Sequence, residues 1–147
     1  MPDDDQRARA VKTFERRDVD TDGVSVFEVE DERDRSLVVA AIACARVDDK
    51  PVDFIEVSRD VIEEYGPITR TPGTLPVPAA NVLHRCLDWD AETLRRLAED
   101  LCEAKVVGRR VASKEVRALV ATLDPSEVTV EESVAFIVRM RERTQRS

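Results

Sequence analysis

The sequence predicts an α+β fold: a three-stranded antiparallel meander near the N-terminus, followed by a helical C-terminal half of about four helices. Three observations carry that prediction. Residues 24–31 ("VSVFEVED") and 52–58 ("VDFIEVS") interleave branched or aromatic side chains with polar ones, the period of half-buried strands. Between them, residues 36–47 ("SLVVAAIACARV") are apolar almost throughout, as a central strand covered on both faces would be. Beyond residue 79, apolar residues recur every three or four positions, the spacing of helices buried along one side.

Taken in order, residues 6–17 suit a short helix with Ala10, Val11 and Phe14 on one side, and Asp18–Gly23 break it. The links "ERDR" and "DDKP" are short and polar, as hairpin connections should be, and place 36–47 between its neighbours. A buried helix over 36–47 is the competing reading, because its alanines are strong helix formers. Ser58 to Gly66 reads as a short helix with a serine cap and a glycine end. Residues 67–78 hold a run of prolines, which remove amide donors and resist helix. That segment is either a crossover or a protruding recognition strand displaying Arg70. In the helical part, Asp90 caps a stripe of Leu94, Leu97, Ala98, Leu101 and Cys102. Ser113 begins a helix that aligns Val116, Leu119, Val120 and Leu123. Thr129 and Glu132 make a capping box for a last helix whose Val130, Val134, Ile137 and Val138 share a face, widened by Phe136 and Met140.

The chain has 147 residues, enough for a single domain, with 67–78 joining 1–66 to 79–147 in one core. With six aromatic residues, that core must be mainly aliphatic. Charged residues make up 37% of the chain, well above the usual ~25%. The formal charge of −8 is uneven: residues 1–90 carry 12 basic and 21 acidic side chains, whereas 91–147 carry 11 and 10. The first part repels phosphate backbones, and only the second could approach one. Three cysteines without close pairing argue against a secreted disulfide framework. No apolar run approaches the ~20 residues needed to span a bilayer. These features lead us to expect a cytoplasmic protein with no membrane partner.

The segment "NVLHRCLDWD" (81–90) contains the single histidine, the single tryptophan and one cysteine. Were 79–88 helical, His84 and Cys86 would point about 200° apart and could not readily share a metal ion. A structural zinc site also needs about four ligands in recognisable pairs. The crowding therefore reads as a structural junction, and no metal or cofactor is expected. An enzyme with a site near His84 ranks third among the functions considered. "DVDTDG" (18–23) resembles the start of a calcium-binding loop, but the twelfth position, where the bidentate glutamate belongs, is Val29.

Two surfaces remain. The acidic run containing Asp31, Glu32 and Asp34, together with Arg70, suits capture of another protein, as an adaptor, regulator, antitoxin or immunity protein would need. The second surface is residues 94–123, which resemble a helix-turn-helix. In it, Arg109, Arg110, Lys114 and Arg117 would face DNA, with the protein as a homodimer. The linking "KVVGRRVA" is longer than the usual turn of about three or four residues, and the chain is acidic. The expectation is therefore a non-enzymatic protein-binding domain, with a DNA-binding regulator as the alternative.

Overall fold

The computed structural model describes residues 24–105 and 108–146. The helix expected over 6–17 and the turn at 18–23 lie outside these residues. The fold is α+β. In chain order come β1 (Val24–Phe27), α1 (Glu32–Arg46), β2 (Val52–Phe54), α2 (Arg59–Glu63), β3 (Thr69–Arg70) and α3 (Pro78–Asn81). These are followed by β4 (His84–Leu87), α4 (Ala91–Glu103), β5 (Arg109–Val111), α5 (Ser113–Ala121), a 3-10 turn (Pro125–Glu127) and α6 (Glu131–Arg146). One sheet has three strands in the order β1-β4-β3, and β2 pairs with β5 in a second. The pairs β3–β4 and β2–β5 are both antiparallel.

Residues 36–47 are where the meander reading and the structure part. Residues 36–46 belong to α1, as their alanines allowed, with Val47 as its left-handed cap, and not to a middle strand. The helix starts because Asp31, extended at φ −150°, accepts the Asp34 amide on its side chain. Glu32 and Asp34 in the first turn and Arg46 in the last suit the helix dipole. The apolar run is unbroken because Val38, Val39, Ala40, Ala41, Ala43 and Cys44 are all buried, so the helix is covered on several sides. An all-round buried helix and a two-faced strand leave the same unperiodic trace. With α1 helical, the three-stranded sheet draws its other strands from 69–70 and 84–87. The strands expected over 24–31 and 52–58 shorten to β1 and β2, since Asp31 is already a cap and Ser58 precedes α2.

The chain divides into two compact units, each built from separated segments. One comprises the described part of Met1–Val26 with Ile55–Thr71 and Arg85–Gly108; the other comprises Phe27–Phe54, Pro72–His84 and Arg109–Ser147.

In the first unit, Val24, Leu87, Trp89, Leu94, Leu97 and Leu101 form the buried cluster, with Ile62, Tyr65 and Ile68 packed on it. The stripe expected on α4 is the buried one, and its Asp90 cap accepts the Thr93 amide at 2.8 Å. Complete burial of each of Leu94 and Leu97 contributes about 2 kcal/mol. Trp89 is locked on two sides: its indole N–H donates to the Pro67 carbonyl at 2.8 Å, and its ring stacks 6.3 Å from Tyr65. The Tyr65 hydroxyl donates to Asp100, and the Arg96 guanidinium lies 5.7 Å from the Tyr65 ring centre. Gly66 is required here, because a Cβ on it would sit 2.5 Å from the indole nitrogen.

In the second unit, α1 packs with α5 and α6. Ala40, Ala41, Ala43 and Cys44 meet Val116, Val120, Phe136, Ile137 and Met140. Small residues on α1 permit close approach, and the buried Ser133 hydroxyl donates to the Cys44 carbonyl at 3.0 Å. That contact turns α6: its buried face is Ser133, Phe136, Ile137 and Met140, while Val130 and Val138 are exposed. The face expected from the valines alone is thus rotated, because a buried serine with a carbonyl acceptor replaces a valine. The proline-rich segment folds back on itself around Asn81. The Asn81 Oδ1 accepts the Leu75 amide, and its Nδ2 donates to the Leu75 carbonyl, both at 2.9 Å. Thr129 donates its amide and hydroxyl to the Pro76 carbonyl, at 3.0 and 3.2 Å.

Two substitutions in the first unit should act with opposite signs in chemical denaturation. Gly66→Ala forces a methyl against a Trp89 ring that cannot yield, and should lower stability by about 2 kcal/mol. Lys105 follows α4 at φ 58° with an exposed side chain, so Lys105→Gly should raise stability by about 1 kcal/mol.

Candidate protein-interaction surface

The crowded segment 81–90 resolves into the end of α3, strand β4 and the approach to α4. On a strand, His84 and Cys86 face the same way, because side chains alternate with period two. The helical premise that set them about 200° apart does not hold. The His84 ring meets Phe27 edge-on, with centroids 5.5 Å apart at 77°. No group of three His, Cys, Asp or Glu side chains capable of holding a metal ion occurs among the described residues. None of the three cysteines is in a disulfide. Burial pushes the Cys44 thiol up to about 11, which keeps it protonated and unreactive at neutral pH. An open depression of about 330 Å³ is lined by Ala121, Arg141, Thr144 and Gln145. Its one cation, Arg141, is engaged with the Ala121 and Leu123 carbonyls at the end of α5.

The acidic run 31–34 begins α1. Asp31 accepts the Asp34 amide at 2.9 Å, and Asp34 accepts the Glu30 amide at 3.1 Å, which is close to a reciprocal capping box. Glu32 pairs with Arg35 one turn on, yet its side chain remains 77% exposed. Asp31 and Asp34 therefore hold up the helix, and Glu32 is the member of the run most available to a partner.

The four cations of the helix-turn-helix reading take up different places. Residues 109–111 form β5, so a strand stands where that motif has its turn, and α4 and α5 belong to different units. Arg110 grips Asp53 with two hydrogen bonds, at 2.7 and 3.0 Å, as its cross-strand neighbour. This bond holds the Asp53 carboxyl below its usual range and raises Arg110. Arg117 donates to Asp49 at 2.8 Å, and Arg143 reaches the same carboxylate at 3.2 Å. Arg109 lies 5.7 Å from the Phe54 ring centre, again its partner in the ladder. Lys114 is exposed near the start of α5. Two of the four thus neutralise carboxylates of their own chain. Sequence alone could not reveal this, because Asp49 and Asp53 lie 57 or more residues away.

Arg70 is placed differently. It sits on β3, an outer strand of the three-stranded sheet, with its side chain exposed. No ion-pair partner for it occurs among the described residues. Its neighbour in the ladder is Arg85, which is 9% exposed. Directly opposed residues project to the same face, their Cβ atoms about 5 Å apart. Continuing the register by two residues sets Ile68 opposite Leu87, and both belong to the apolar cluster of that unit. The arginine pair therefore stands at the rim of that cluster.

No protein-family model, curated protein or solved structure matches this chain. Its functional reading rests on its own geometry.

Asp49 offers a test of the internal ion pairs. The Arg117 hydrogen bond, aided by Arg143, holds its carboxyl below the ordinary value. A depressed pKa stabilises the fold above the unfolded carboxylate's pKa of about 3.9, and that stabilisation is lost as pH falls through the folded value. Asp49→Asn should accordingly melt below the wild type at neutral pH. The gap should narrow as pH falls below about 4. Thermal midpoints measured across acid pH check both parts, and a constant gap would contradict the assignment.

Proposed function

We propose that this chain works by binding another protein and performs no chemistry of its own. The observation that carries the reading is Arg70: an exposed guanidinium on β3, with no ion-pair partner among the described residues, in a chain of net charge −8. A cation not used in an internal ion pair is available to the carboxylates of a partner. Glu32 supports the reading from the other unit as an outward carboxylate at a rigid helix start. Rim charges of both signs steer encounter and select partners. The engagement of Arg110 and Arg117 with aspartates weighs against a DNA-reading surface on 94–123. A cytoplasmic setting accords with three cysteines outside any disulfide, two of them buried. No helix among the described residues is long and apolar enough to cross a membrane.

Immobilised protein exposed to native extract should retain discrete protein species. Glu32→Lys should lower the melting temperature only slightly, through the lost Arg35 pair and first-turn charge, and Arg70→Glu should not lower it, because neither side chain is buried. At least one should weaken retention several-fold, more so at low salt. Asp31 is unsuitable for this purpose, since losing its cap costs about 1 kcal/mol of helix stability. Retention no greater than that of heat-unfolded protein, or retained species that are nucleic acid, would overturn the proposal.

A further inference from the structure

We draw no further inference here: the strongest candidate, the apolar strip that the exposed Val130 and Val138 form with the half-buried Val134 along α6, carries nothing because nothing in the structure shows what covers it, and in an antiparallel pairing with a second copy Glu131 would meet Glu142 as readily as Arg141.

Discussion

The carboxylate of Asp31, accepting the amide of Asp34, starts α1, and the remaining architecture depends on that start. Once residues 32–46 are helical, they cannot lie between β1 and β2 as a middle strand. β1 then finds its neighbour in β4, nearly sixty residues later, and β2 finds its own in β5. Helix α1 is also the element on which α5 and α6 pack, through its alanines and Cys44. The capping bond is worth only about 1 kcal/mol, so it does not hold the fold together by its strength. It fixes where the helix formed by this buried apolar segment begins.

This explains which parts of the structure could be read from the sequence. Helices α4, α5 and α6 were legible because each buries one stripe, and a stripe leaves a period. Leu94, Leu97 and Leu101 are buried as their spacing predicts, beneath the Asp90 cap. Residues 36–47 were ambiguous because burial on all sides erases the period. Residues 84–87 were harder still: a four-residue strand beside a four-residue helix is too short for either pattern to develop. The rotation of α6 was hidden because Ser133, a polar residue, is buried by its bond to the Cys44 carbonyl. No local pattern announces an acceptor 89 residues away.

The candidate surfaces divide along the same line. Arg70 and the acidic run at 31–34 could be singled out from composition and the prolines nearby. What each does could not, since that depends on pairing. Asp31 and Asp34 turned out to organise a helix start, and Arg110 and Arg117 to hold aspartates. In a chain with 23 cationic and 31 acidic residues, several arginines pair with carboxylates of their own chain, so a cluster of arginines in the sequence says little about an external anion.

That abundance makes the exceptions informative. Arg110 lies opposite Asp53 in the β2–β5 ladder, the pairing that electrostatics favours. Arg70 lies opposite Arg85 in the β3–β4 ladder, the pairing that electrostatics disfavours. Both are antiparallel pairs in the same acidic protein. Arg85 is 9% exposed and shares a face of β4 with Leu87 of the apolar cluster. Arg70 is exposed and contributes no such burial. Burial sets Arg85 apart from Arg70, which has no ion-pair partner among the described residues. On the proposed function, Arg70 is the cation left to meet a negative group of the partner.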